Sequence, residues 1–200
     1  MLDTLIVGGG AAGLSCALVL GSGLNKPFAK SKSVAIITHQ KTSHLQNALF
    51  NNVLGLEPGT LGRDLLESGK KQLKHLYPEV LQVEKEKVIS ITNFKTYFEV
   101  KTNKNTYKTM RVVVAVGYTS LININGLESY LEPHPQAAIE KDRVWLKNEN
   151  HLVAKNLYVA GTLAGGRSQF AIASGSGAQV ATDILTFWNN GKHTKIHDKV

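Results

Sequence analysis

Apolar positions in this chain gather into short, dense runs that end in glycine, separated by segments with helical spacing. Residues 2–7 form one such run, closed by Gly8, and predict a buried strand. Residues 13–20 read as a helix, and after a polar loop over 21–32 the run 33–38 predicts a second buried strand. The opening is therefore a strand–helix–strand unit, parallel and with a right-handed crossover expected. Residues 39–57 are dominated by Asn, Ser, His and Gln and read as irregular. Leu65, Leu66, Leu73 and Leu76 stand at helical spacing within 61–77, and Pro78 stops that helix. Beyond residue 80 the pattern changes to β: segments 88–91, 96–102 and 106–110 predict a three-stranded meander over 88–110, with Asn103, Lys104 and Asn105 as a turn. A fully buried strand over 111–117 again ends in glycine. Residues 118–150, with Pro133 and Pro135 and mixed charge, read as an irregular connection with at most short elements. One more buried strand is expected over 156–161, a long helix with a stripe of small residues over 168–188, and a frayed tail beyond.

The length of 200 residues fits one α/β domain, with 88–110 as an insertion and 190–200 as the tail, and is short for two. A hydrophobic share of 42% describes a globular protein, expected to be cytoplasmic. The apolar stretch 4–21 makes a poor membrane span or secretion signal, because Asp3 precedes it and glycines crowd its middle. A single cysteine, Cys16, excludes an internal disulfide and any C-x-x-C redox pair. It reads as a small buried residue within the first helix. The net charge of +8 favours anionic partners, yet the lysines are scattered without an Arg-rich helix or an aromatic signature, which argues for a solvated surface over a nucleic-acid face. His193 and His197 have a metal-like spacing but no evident third ligand, and no metal is expected.

Gly8, Gly9, Gly10, Ala11, Ala12 and Gly13 fit G-x-G-x-x-G between a strand and a helix. The first glycine permits a sharp turn, the second lets backbone approach a pyrophosphate, and the third lets helix and strand pack closely. The helix N-terminus adds unpaired N–H groups and a partial positive charge. The fingerprint usually places Asp or Glu at the end of the second strand, on a ribose hydroxyl. This chain has Thr38, His39, Gln40 and Lys41 there. Thr38 or Gln40 can still bond a ribose hydroxyl, whereas His39 and Lys41 could meet a 2′-phosphate, which keeps an NADP-binding dehydrogenase open.

Two later segments complete a pattern. The strand of Val112, Val113, Val114, Ala115, Val116 and Gly117, and the strand–turn–helix running from Leu157 to Gly161-Thr162 and on through 169–181, resemble the second and third signatures of the FAD domain in the thioredoxin-reductase-like flavoproteins. All three pieces recur in order and cover most of the chain. The resemblance implies an α/β, doubly wound, Rossmann-like FAD-binding domain carrying a three-stranded antiparallel meander. In that family the first signature grips the pyrophosphate, the middle one, here Ala115 to Gly117, closes over the nucleotide, and the last touches the ribityl chain and flavin. The last signature normally ends Gly-Asp; here it is Gly161-Thr162, which keeps a hydroxyl and loses the charge.

By the same resemblance Gln169 and Phe170, with Ala171 following, would present backbone N–H groups to the flavin edge, where a helix N-terminus stabilises reduced flavin. Val88 is a further implied contact, and Asn51 and Asn52 fall near the family's loop over the flavin, with turn residues as the equal reading. Arg167 could contact an anion, although a surface cation is the simpler role. Gly175 and Gly177 would permit close helix packing. Only about 40 residues lie between Gly117 and Leu157, too few for the second nucleotide domain and C-x-x-C that full-length members insert there. The implied function is an FAD-dependent oxidoreductase whose electron donor or acceptor is a small molecule or a separate chain. A homodimer is compatible with this. A non-catalytic FAD- or NADP-binding accessory subunit is the alternative.

Overall fold

A computed structural model describes residues 1–39, 44–119 and 122–196. The chain opens with β1 (Thr4–Val7), α1 (Ala11–Gly23) and β2 (Val34–Thr38), followed by the short pair β3 (Leu49–Phe50) and β4 (Thr60–Leu61), α2 (Gly62–Leu76) and β5 (Leu81–Glu84). The meander follows as β6 (Val88–Asn93), β7 (Phe98–Thr102) and β8 (Thr106–Thr109), then β9 (Val112–Val114). A connection with the antiparallel pair β10 (Leu131–Pro133) and β11 (Val144–Leu146) leads to β12 (Leu152–Ala154), β13 (Leu157–Val159) and the long α3 (Phe170–Trp188).

The central sheet has the order β12-β13-β9-β1-β2-β5, parallel throughout except for β12 at one edge. Strands β1, β2 and β9 are buried on both faces, which is why their sequences are continuous apolar runs rather than alternating ones. Ile6, Val34, Ile36 and Val113 point into a core shared with the three helices. Leu5, Val7, Ala35, Ile37, Val112 and Val114 point the other way, into a core closed by the meander residues Val88, Ile91, Phe98 and Val100 and by Ile124, Leu127 and Leu146 of the connection. The result is three layers: helices, parallel sheet, and meander with connection.

The apolar α1 needs small residues because it is buried nearly all round. Tyr77 occupies the space beside Gly21, and Leu185 the space beside Gly23. Tertiary packing thus carries α1 three residues past its expected end at residue 20, through glycines that would weaken an isolated helix. In α2, Leu66 and Leu73 supply the buried stripe; Asp64 in the first turn and Lys74 and His75 in the last complement the helix dipole.

Short strands β3, β4, β5 and β12 fall where no strand was expected, and β10 and β11 are short elements of the 118–150 connection. The segment after α3 also differs from expectation. It does not fray as far as residue 196: Thr194 is buried, Asn189 Nδ2 donates to Thr194 Oγ1 at 3.3 Å, and Ile196 packs against the helix-side core. His193 is exposed, and His197 lies outside the described residues.

Candidate functional site

Strands β13, β9 and β1 lie side by side and run in one direction, so their carboxyl ends open onto one edge of the sheet. From β1 the chain moves outward to β2 and β5, then returns to β9 on β1's other side. This reversal of strand order is where open α/β sheets leave a crevice for a ligand. The ladder continues past the formal strand ends. Gly8 N–H donates to the Ile37 carbonyl at 3.0 Å, Ala115 N–H to Val7 at 2.8 Å and Ala160 N–H to Val114 at 2.9 Å.

The glycines at these ends divide by what surrounds them. Gly8 has φ +115°, a conformation that disfavours any side chain, and a Cβ there would strike the Ala115 carbonyl. A Cβ on Gly13 would strike the Gly8 carbonyl, and one on Gly177 in α3 would strike the backbone of Ala12. These three are packing glycines, which draw α1 onto β1 and α3 onto α1. A Cβ on Gly161, at φ +78°, would stand 3.0 Å from the Cβ of Ala12, so the end of β13 lies close to the first turn of α1. Gly10 and Gly117 differ, because both open onto free space. Gly10 caps α1 with no side-chain hydrogen bond, and no acidic residue stands in that first turn, so the positive end of the helix faces the opening uncompensated.

Ala11 is half-buried and Ala12 buried in this first turn, while Ala115 is buried and Val116 is 39% exposed at the end of β9. Thr162 follows Gly161 in a short 3-10 turn, Gly161–Ala164, and the Gly161 N–H donates to Ser176 Oγ of α3 at 2.8 Å. Gln169 is exposed as the N-cap of α3, without a side-chain cap bond; Phe170 follows half-buried and Ala171 exposed. Phe170 packs its ring against Phe50 of β3, with centroids 5.2 Å apart at 56°. That pair ties the 45–61 segment to the start of α3, and the sequence pattern gave Phe50 no role.

Other expected positions lie differently. Thr38 is buried and its hydroxyl points to the Val83 carbonyl of β5 at 3.4 Å, so its proton is directed along the sheet. His39 is exposed just beyond β2, and Gln40 and Lys41 lie outside the described residues. Asn51 Oδ1 accepts the Gly59 N–H at 2.8 Å, a turn contact, and Asn52 is exposed. The side chain of Val88 is buried in the meander core. Gly175 has free space around it and packs no helix, in contrast to Gly177. Arg167 is exposed. Cys16 is fully buried, and burial pushes its thiol far above the ordinary range, so it is inert as a nucleophile. Among the described residues no three His, Cys, Asp or Glu side chains are grouped to hold a metal ion, and no helix is long and apolar enough to cross a membrane.

A sequence profile of the pyridine nucleotide-disulphide oxidoreductases matches residues 2–174. The chain belongs to that family. Among curated relatives, the uncharacterized oxidoreductase CzcO of Bacillus velezensis is 25% identical over 194 residues, and CzcO of Bacillus subtilis strain 168 is 26% identical. Each match takes in 92% of this chain and 52% of the relative, so the chain spans about half the length of these oxidoreductases. In three dimensions this family member is similar to a thioredoxin reductase from Gloeobacter violaceus, with a TM-score of 0.74 at 14% identity over 99% of this chain and 98% of that one. An oxidoreductase from Agrobacterium tumefaciens superposes with a TM-score of 0.71 at 14% identity over 93% and 99% of the two chains. The atypical thioredoxin reductase TRi from Desulfovibrio vulgaris Hildenborough gives 0.70 at 13% over 97% and 100%. At such identities these structures establish the fold: a Rossmann-like sheet with a three-stranded meander.

Proposed function

We propose that this chain binds FAD across the ends of β1, β9 and β13 and works as a flavin-dependent oxidoreductase module, exchanging electrons with a small molecule or a separate protein chain. The observation that carries the reading is the close approach of the Gly161 backbone to Ala12, which leaves little room for a side chain at 161, together with the open space at Gly10. It joins the turn after β13 to the helix N-terminus that suits a pyrophosphate. The residues present fit an elongated dinucleotide. Gly10 and Gly117 leave space where any side chain would intrude, while Gly8, Gly13 and Gly177 close the backbone around that space.

In this reading the backbone of Gly10 to Gly13 holds the diphosphate, and Ala115 to Gly117 flank the nucleotide. Thr162 offers a hydroxyl to the sugar-derived chain, and the start of α3 at Gln169 and Phe170 places a positive helix end beside the ring system. When bound, FAD supplies the hydride and one-electron chemistry, and the protein supplies binding, orientation and the local field. Family membership supports redox work of this kind. A single domain and cytoplasmic work are part of the same proposal.

The test is the visible spectrum of the purified protein before and after incubation with FAD, followed by anaerobic mixing with NADH or NADPH. A flavin band that a reductant bleaches supports the proposal. Bound flavin that no reductant bleaches favours an accessory subunit. Retention of NADP with selectivity for its 2′-phosphate, and no FAD, would shift the reading to the dehydrogenase that His39 and Lys41 allow.

A further inference from the structure

The turn after β13 is held from outside by the connection between β9 and β12, and the central contact is a buried histidine. His134 is only 6% exposed. The Gln136 N–H donates to its Nδ1 at 3.2 Å, which puts the ring proton on Nε2. Nε2 lies 3.0 Å from the Thr162 carbonyl oxygen and donates to it. The Gly165 N–H donates to the same oxygen at 3.1 Å, so both of its lone-pair directions are used and the Thr162–Leu163 peptide plane is fixed.

The imidazole is itself held in place. Tyr118, one residue beyond Gly117, meets it edge-on with centroids 5.3 Å apart, and the Arg143 guanidinium stacks over the Tyr118 ring at 5.0 Å. Two neighbours brace the rest of the turn. Asn148 Nδ2 donates to the Ala164 carbonyl at 3.2 Å, and the Trp145 ring fills the space beside Gly165, at φ +94°. An apolar residue at 134 could fill the volume but would leave the Thr162 carbonyl one partner short.

We propose that His134 is a positioning residue for the cofactor: by donating to the Thr162 carbonyl it holds the Gly161–Ala164 turn in the orientation that sets Gly161 against α1. The proposal rests on the FAD-binding reading above. Thr162 brings a hydroxyl and no charge, so the turn's grip on a ligand depends on how its backbone is oriented. A side chain 28 residues upstream sets that orientation.

The experiment titrates FAD into cofactor-free wild type, His134→Ala and His134→Gln, following quenching of flavin fluorescence, with the thermal midpoint of each cofactor-free protein recorded alongside. Glutamine places an amide donor about where imidazole Nε2 lies, and alanine removes it. His134→Ala is expected to bind FAD about tenfold more weakly, and His134→Gln within about threefold of wild type. Should the alanine variant not fold, His134→Asn, whose amide is too short to reach Thr162, takes its place with the same expected loss. If wild type binds and the variant lacking the donor matches it within about twofold, the positioning role falls alone. If the glutamine variant loses as much as the alanine one, His134 is merely structural and the proposal falls as well. A wild type that takes up no FAD overturns the functional reading and this proposal together.

Discussion

Gly10 and Gly13 stand in different surroundings, the first open and the second against the Gly8 carbonyl, and substitution separates them. A methyl group on Gly13 meets the Gly8 carbonyl, so Gly13→Ala is expected to cost about 1–3 kcal/mol of stability, read as a lower urea midpoint at unchanged slope. A methyl on Gly10 meets nothing, and its φ of −81° suits any residue. Gly10→Ala should therefore stay within about 0.5 kcal/mol of wild type while weakening FAD binding about tenfold or more, because the methyl enters the opening. The motif distinguished the two, with Gly13 as the packing glycine; what the sequence did not distinguish is Gly175 from Gly177, since that depends on whether Ala12 or open space stands opposite. His134 shows the same limit: its partner Thr162 is 28 residues away, and no local spacing reports that contact. Asn51 was legible as either a flavin-side or a turn residue, and its bond to Gly59 supplies the turn role.

Between elements, the packing of α3 on α1 and the cohesion of the meander each have one testable determinant. Gly177→Ala would drive a methyl into the backbone of Ala12, separating the helices and costing about 1–3 kcal/mol. Gly175→Ala, into open space in the same helix, should stabilise by about 0.5–1 kcal/mol through helix propensity. Thermal unfolding of the pair checks both signs. In the meander, Glu86 accepts hydrogen bonds from Thr102 at 2.6 Å, Asn105 at 2.6 Å and the Tyr107 hydroxyl at 3.1 Å. Burial pushes its carboxyl up, but those bonds and the Lys104 charge outweigh burial and hold it below the ordinary glutamate range. The folded value is thus lower than the unfolded one. The stability it contributes is fully present above the ordinary range and is lost as pH falls through the folded value. Urea midpoints followed into acid should accordingly drop less for Glu86→Gln than for wild type within that window.

The long periodic elements were readable because burial on both sheet faces leaves an unbroken apolar run, as in Val112, Val113 and Val114. Strand β5 was not: it sits at the sheet edge with Leu81 and Glu84 exposed and only Val83 buried, so pairing to β2 and not apolar pattern makes it a strand. Strands β10 and β11 have the same cause, three residues each held by pairing to one another.

For the molecule as a whole, the sheet reversal and the glycine positions bring the ends of three parallel strands to one edge of the sheet, which is where the proposed FAD site lies. A ligand that binds the native state alone stabilises it by about 2.7 kcal/mol at a hundredfold excess over its Kd. For a chain of this size that corresponds to a rise in Tm of about 5–10 °C with FAD, absent with riboflavin, which lacks the diphosphate. The most direct test is an experimental structure of the protein loaded with FAD. Its diphosphate should lie against the backbone of Gly10 and Ala11, with the flavin end of the molecule towards Gly161 and the start of α3. A nucleotide bound elsewhere on the surface, or a chain that takes up none, would contradict the convergence of the three strand ends on a single cofactor.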